Sequence, residues 1–330
     1  MMFICQSRYL ASKTNQIIYE KDLFFILKKL KILVIGGGGY IGSMLITELI
    51  ENKFHVRCYD RFSSSEILSK LKSNKDLEII IGDIRNIESE NFSDIDTVID
   101  LAALTKDLDE KEEEIIQVNK NARRKIIEMS KQKGISQYIR ISSSNVYAGN
   151  MKGNNEEKIP NPKTLYAKIN LELDKYAISL NDTKFRVTVL RLASIFGDSI
   201  RMRWDQSINN MIKELYTNGK IEVKSKSSKR PFLHIKDAVK AIILVIKSKK
   251  GISGEIFNVG SDDLNYSIEE IAKKITEVTK KGHLVIHNKK DKNSFTMDCN
   301  KIKKILGFEI KYDLEYGINE IMTRLKQDES

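Results

Sequence analysis

Only three cysteines occur in the 330 residues, Cys5, Cys58 and Cys299, far apart and with no CxxC pair. Their scarcity argues against a disulfide framework and against a zinc site, and it fits a reducing, cytoplasmic compartment. Long apolar runs are missing as well. The most apolar region, Leu23 to Ile35, is interrupted by Lys28, Lys29 and Lys31. It falls short of the roughly 18 uninterrupted apolar residues of a membrane span, so no membrane partner is expected. Internal repeats and low-complexity linkers are also absent, which argues against a repeat array. The opening "MMFICQSRYLASKTNQIIYEKD" has no sustained period and no secretory apolar core followed by a cleavage site. Residues 1–28 are expected to be a poorly ordered extension, or the product of a start codon placed too early. Their few acids, with some Arg and Ser, leave an organelle presequence as the alternative.

What is present is an ordinary globular composition, 41% hydrophobic and 31% charged, long enough for one large domain or two smaller ones. The net charge of +11 would suit a polyanion. The lysines, however, run through the whole chain and form no basic-aromatic stripe. Such scatter reads as solvated surface, and no nucleic-acid partner is expected. An anionic small substrate suits the same charge.

Strands and helices alternate along the chain. Lys31 to Ile35 is a short run rich in Val and Ile, the pattern of a buried strand. Glycines follow at once, then Tyr40 to Glu51 carries Ile41, Leu45 and Leu49 at helical spacing, and His55 to Tyr59 is a second strand ended by Asp60. This is a β-α-β unit. Further strands are predicted at 77–83, 96–103, 136–143 and 186–193, with helices over 112–133 and 165–180. Alternation of this kind predicts an α/β fold with a doubly wound parallel sheet. Beyond Ala193 the spacing predicts helices near 206–215, 235–248, 267–279 and 300–306, and two short strands, "IEVKS" and "EIFNVG". That part reads as a smaller second lobe.

The run Gly36-Gly37-Gly38-Gly39-Tyr40-Ile41-Gly42 fits GxGxxG through Gly37, Gly39 and Gly42, and GxxGxxG through Gly36, Gly39 and Gly42. It follows a strand, opens a helix and is followed by an acid, Asp60, at the end of the next strand. In that context it predicts a dinucleotide site. Glycines let the backbone turn tightly and approach a pyrophosphate, and the helix N-terminus offers unpaired N–H groups. Asp60 is placed to accept hydrogen bonds from an adenosine ribose, which favours NAD. Arg61 beside it leaves NADP as the lesser alternative.

Further segments join the glycines: "GDIR" (82–85), "DLAALT" (100–105), Asn119, "SSSNVY" (142–147), Tyr166, "RPFLHIKDAVKAI" (230–242) and "FNVGS" (257–261). With these the chain, from about residue 31 to its end, resembles the extended short-chain dehydrogenase/reductases of the NAD-dependent epimerase/dehydratase group, which act on nucleotide sugars. "RMRWDQSINNM" (201–211) is similar to a subgroup serving surface-polysaccharide biosynthesis. The resemblance implies a Rossmann-type NAD-binding domain over 29–192. It implies a smaller α/β substrate-binding lobe over 193–330, with segments around 232–260 returning to the first domain. It further implies that Gly36, Gly39, Tyr40, Ile41 and Gly42 hold the cofactor pyrophosphate, Asp60 and Arg61 the adenosine ribose, and Asp83 and Ile84 the adenine. Leu101, Ala102, Ala103 and Asn119 would complete the cofactor cleft. Ser143 and Tyr166 would be catalytic, and Ser144, Asn145, Arg230 and Asp291 would meet the substrate. A homodimer through the 112–133 and Tyr166 helices is implied in the same way, with a nucleotide-diphosphate sugar as the small-molecule partner.

In that chemistry hydride leaves a sugar carbon for the nicotinamide while the hydroxyl proton passes to a tyrosinate. Free tyrosine has a pKa near 10, and a lysine at i+4, on the same helix face, favours the phenolate. Here that position is Asn170, which can donate a hydrogen bond to a ribose hydroxyl but supplies no charge. Lys168, at i+2, points to another side. Two more positions depart from the pattern: Asp100 stands where many relatives have histidine, and Asn288 stands where some have arginine. His234 reads as structural, and "KDLDEKEEE" (106–114) as a solvated helix start.

Two function classes therefore follow. One is an NAD-dependent nucleotide-sugar epimerase, dehydratase or 4-dehydrogenase with Tyr166 as acid/base; a dehydrogenase of sterols or flavonoids is its weaker variant. The other is a catalytically impaired NAD(H)-binding protein, a sensor or inactive partner, for which Asn170 speaks.

Overall fold

The computed structural model describes residues 30–62, 65–71, 74–105, 111–150, 152–223, 225, 227–248, 252–287 and 294–329. The expected N-terminal extension and Asp291 lie outside the described residues.

Six strands, Lys31–Ile35 (β1), His55–Asp60 (β2), Leu77–Ile81 (β3), Thr97–Asp100 (β4), Gln137–Ser143 (β5) and Arg186–Leu192 (β6), join Glu255–Val259 in one seven-stranded sheet. The order is Glu255–Val259, β6, β5, β4, β1, β2, β3, and every neighbouring pair is parallel. A parallel sheet must be covered on both faces, which is why its strands read as apolar runs. Ile32, Leu33, Val34 and Ile35 of β1 are all inaccessible to solvent. Ile32 and Val34 enter one core cluster, Leu33 and Ile35 the other, as alternation across a strand requires.

The helix Tyr40–Glu51 packs Leu45, Ile46 and Leu49 into the first cluster, together with Ala238, Ala241, Ile242 and Val245 of the helix Ile235–Lys247. The second face is covered by the helix Leu165–Ser179 and by a long helical segment in three parts. That segment runs as α-helix over Glu112–Ile115, as π-helix over Ile116–Ala122 and as α-helix again over Arg123–Gln132. The Leu165–Ser179 helix is started by Thr164, whose hydroxyl accepts from Ala167 N at 3.2 Å.

After β1 the chain builds β2 and β3 outward on one side, then returns to place β4 on the other side of β1. The strand order reverses there, and in open α/β sheets such a point opens a crevice beyond the strands' C-terminal ends. Two strands end earlier than their sequence suggests. β3 stops at Ile81 and β4 at Asp100. In the second case Asn119 takes both backbone groups of Leu104, accepting from its N–H at 2.8 Å and donating to its carbonyl at 2.7 Å. The chain from Leu101 to Thr105 therefore runs over the crevice rather than along the sheet.

A third cluster is built from the helices Ser207–Asn218, Ile268–Thr279 and Leu314–Asp328, in the part read above as a smaller lobe. Leu314–Asp328 is a helix absent from the elements read above, although Leu314, Ile318, Ile321 and Leu325 fall at helical spacing and Asp313 caps it. No helix among the described residues is long and apolar enough to cross a membrane.

Candidate active site

The C-terminal ends of β1 to β6 open into one cleft of about 590 Å³, within the size range of small-molecule sites. Its floor is the glycine loop after β1. Gly36 has φ +86°, and a Cβ there would sit 2.7 Å from Ala102 N. A Cβ on Gly42 would sit 2.3 Å from the Gly36 carbonyl oxygen. Only glycine permits both the turn and the close helix approach. The helix that follows has Gly39 as its N-cap, no side-chain cap and no acid in its first turn. Its first N–H groups are thus open to an anion, and the Arg201 guanidinium reaches the same loop through the Gly38 carbonyl. This cradle fits the pyrophosphate of a dinucleotide. Tyr40 lines the cleft with its ring, while its buried hydroxyl donates to the Gly197 carbonyl at 2.6 Å and accepts from Asn209. Burial pushes that phenol well above its usual range.

Asp60 ends β2 at one side of the cradle. Its two oxygens accept from Gly38 N at 3.1 Å and Phe62 N at 2.7 Å, which ties the acid to the glycine loop and leaves its outer lone pairs to the cleft. Asp83 follows β3, bound to the Arg85 side chain, which holds its carboxyl below the usual range. Arg61 lies 3.9 Å from the same carboxylate. Ile84, Leu101, Ala102 and Ala103 complete the apolar wall. Asn119 does not reach the cleft. It is buried behind it and acts by holding the Leu101–Thr105 path described above.

At the other end, Ser143, Ser144 and Asn145 line the cleft from the turn after β5, and Tyr166 faces them from the first turn of its helix. Ser143 Oγ accepts from Asn145 N at 3.2 Å. Tyr166 is partly exposed. No lysine lines the cleft among the described residues, and Lys168 lies on the exposed face of its helix.

Asn170, expected beside Tyr166 in the cleft, is turned away from it. Its amide oxygen accepts from Arg140 Nη2 at 2.8 Å and its amide nitrogen donates to the Tyr166 carbonyl at 3.1 Å. Beneath it lies a buried ionic network. Arg140 Nε binds Asp174 at 3.0 Å, Arg191 Nε binds the other oxygen of Asp174 at 3.0 Å, and Arg123 Nε binds Asp100 at 2.8 Å. Asp100 also accepts from the Tyr138 hydroxyl at 3.0 Å. A short polar side chain at 170 suits this network, because its oxygen gives Arg140 Nη2 a close side-chain acceptor beside the Asp174 carboxylate on Nε.

Arg230 also lies away from the cleft. Its guanidinium packs over the Phe295 ring and donates to Ser228 Oγ at 2.8 Å and to the Lys229 carbonyl. His234 is buried, accepts from Lys236 N through Nδ1 and meets Glu320 through Nε2 at 3.0 Å, tying the strand Lys229–His234 to the helix Leu314–Asp328. Arg123 and Thr164, not singled out in the sequence, also line the cleft, as do Arg201, Arg203 and Gln206 of the 201–211 segment. Arg123 carried one legible signal, a charge on the helix face that otherwise shows Ile115, Val118, Ala122 and Ile126.

Residues 32–260 match the model of the NAD dependent epimerase/dehydratase family. Among curated proteins, a UDP-N-acetyl-alpha-D-glucosaminuronate decarboxylase of Bacillus cytotoxicus is 27% identical over 327 residues, covering 92% of this chain and 99% of that one. The dTDP-D-glucose 4,6-dehydratase of Homo sapiens is 26% identical over 267 residues, covering 76% of this chain and 74% of its own. Among solved structures, MoeE5 in complex with UDP-glucuronic acid and NAD superposes with a TM-score of 0.80 at 25% identity, over 90% of this chain and 99% of that one.

Proposed function

This chain belongs to the NAD dependent epimerase/dehydratase family, and from that premise we propose that it binds NAD and acts on a nucleotide-diphosphate sugar as an epimerase, dehydratase or 4-dehydrogenase. The observation that carries the reading is the convergence of the glycine cradle, Asp60, Ser143 and Tyr166 on one cleft. Bound NAD would supply the acceptor for a hydride from a ring carbon of the sugar. The chain's own residues do the rest. The glycine loop and the open helix N-terminus hold the pyrophosphate. Asp60 accepts from the adenosine ribose, and its charge disfavours the 2′-phosphate of NADP. Tyr166 takes the proton of the sugar hydroxyl, Ser143 orients the same oxygen, and Ser144 and Asn145 face the sugar. General acid–base catalysis of this kind contributes about 10²–10⁴-fold.

The likeness of "RMRWDQSINNM", whose Arg201 and Arg203 line the cleft, supports a place in surface-polysaccharide sugar biosynthesis. The reading includes a cytoplasmic homodimer formed through the long helical segment read at 112–133 and the Leu165–Ser179 helix. The test is turnover of a panel of UDP-, GDP-, dTDP- and CDP-sugars with NAD, read by mass spectrometry and NADH absorbance from neutral to alkaline pH. Conversion of one sugar supports the proposal; none at any pH, with NAD bound, rejects it. The second reading, an NAD(H)-binding protein without turnover, is favoured by the binding of Asn170 to Arg140 together with the lack of a lysine in the cleft lining among the described residues.

A further inference from the structure

Among the described residues four cations line the cleft: Arg61, Arg123, Arg201 and Arg203. Three have partners at the cleft rim or loop. Arg61 faces Asp83, Arg201 the Gly38 carbonyl, and Arg203 pairs with Asp205. Arg123 differs. It is 1% exposed yet lines the cleft, entering from the first residue after the π-helical turn. Its Nε donates to Asp100 and its Nη2 to the Ile141 carbonyl at 3.0 Å. Its Nη1 makes no hydrogen bond among the described residues.

We propose that Arg123 is a positioning residue for the reaction, its guanidinium supplying from the neighbouring helix the positive charge that stabilises the Tyr166 phenolate where position 170 supplies none. The inference rests on the reading of Tyr166 as the acid/base.

Charge balance supports it. The buried network contains three guanidinium groups, Arg123, Arg140 and Arg191, against two carboxylates, Asp100 and Asp174. One positive charge is in excess. An excess buried charge is costly unless a counter-charge reaches it. Arg140 feels the excess: burial, then the charge of Arg123, push its pKa below the usual arginine range. Arg140 Nη1 has no hydrogen bond, although Asp100 lies 3.5 Å away. Arg123 is the member of the network that opens onto the cleft, and Tyr166 is the acid there whose ionised form would neutralise it. For Arg123 burial opposes the charge, but Asp100 foremost, with Tyr138 and Tyr166, favours it, and its pKa lies above the usual value. Among the described residues Tyr166 and Arg123 share the cleft lining with Arg201 and Arg203; behind Arg123 its partner Asp100 meets Arg140 and the Tyr138 hydroxyl, and Asp174 and the exposed Lys168 lie on the Tyr166 helix. In the proposed step the sugar hydroxyl proton passes to the phenolate oxygen, and Arg123 keeps its own protons throughout.

The test follows the near-ultraviolet phenolate absorbance of Tyr166, isolated by subtracting the pH titration of each protein's Tyr166→Phe counterpart. It needs no turnover. Three backgrounds are compared on the full chain: wild type, Arg123→Gln with Asp100→Asn, and Asp100→Asn alone. The paired change removes both charges, so that no carboxylate is left unpaired. It should move the ionisation midpoint to higher pH by about one unit, a tenfold loss of phenolate at fixed pH. Asp100→Asn alone should move it the other way, and it decides the matter if the paired variant does not fold. Arg123→Lys, which keeps the charge, should leave the midpoint near that of wild type. An unchanged midpoint in the paired variant, or no downward movement in Asp100→Asn, overturns the proposal. Failure of the enzyme reading is distinguishable: the midpoints would still move as stated while the wild type turned over no sugar.

Discussion

The amide oxygen of Asn170 accepts a 2.8 Å hydrogen bond from Arg140 Nη2, inside a network that solvent does not reach. Helical spacing from Tyr166 puts this side chain one turn on, but its partner lies on β5, beneath the helix. The position has become part of the core. Asn170→Ala removes an acceptor from a buried guanidinium and should cost about 1–3 kcal/mol of stability, measured by urea unfolding. A loss within error of zero would mean that the bond carries no weight.

Gly42 touches the loop that opens its own helix. A Cβ there would overlap the Gly36 carbonyl, 2.3 Å away, and the loop would have to move off its present path. Gly42→Ala is expected to weaken NADH binding at least about tenfold, or about 1.4 kcal/mol, in a fluorescence titration. Binding as tight as wild type would separate the loop from the cofactor site.

Asp60 accepts from two backbone N–H groups while facing the cleft. Asp60→Asn keeps the shape and removes the charge. The ratio of NADP to NAD affinity should rise about tenfold or more, measured by paired titrations of the two cofactors. An unchanged ratio would leave the choice of cofactor to other groups, Arg61 first among them.

Glu320 links the C-terminal helix to the strand Lys229–His234. Burial opposes its charge, but the bonds from His234, Lys236 and Asp198 N outweigh burial and bring its carboxyl down to about 2. A carboxyl lowered by folding adds stability that is fully present above its unfolded pKa, near 4.3, and is lost as pH falls towards the folded value. Wild type should exceed Glu320→Gln by about 2–3 kcal/mol at neutral pH, with the gap closing between about pH 4.5 and pH 2. A gap independent of pH would show that the charge is not its source.

The sheet and the cofactor end of the cleft were legible because local sequence dictates them. Apolar runs mark the parallel strands, and the glycines with Asp60 mark the turn and its acid. The other end of the cleft was legible only in part. Tyr166 and Ser143 line it, yet Asn170, Asn119 and Arg230 each contact a partner elsewhere in the chain and stay out of it. Arg123, Arg140, Asp174 and Arg191 come together across two strands and two helices, a juxtaposition that no local period records. The Leu314–Asp328 helix is a different case: its apolar spacing is present in the sequence, but its packing partners lie in the smaller lobe, where the alternation of elements gives no guide.

In the proposed mechanism Tyr166 performs proton transfer in a cleft that holds NAD independently of it. The most direct measurement compares wild type with Tyr166→Phe for turnover of the converted sugar nucleotide and, in parallel, for NADH binding. Turnover should fall by about 10²-fold or more while the NADH dissociation constant changes little. Turnover that survives the substitution would contradict the mechanism.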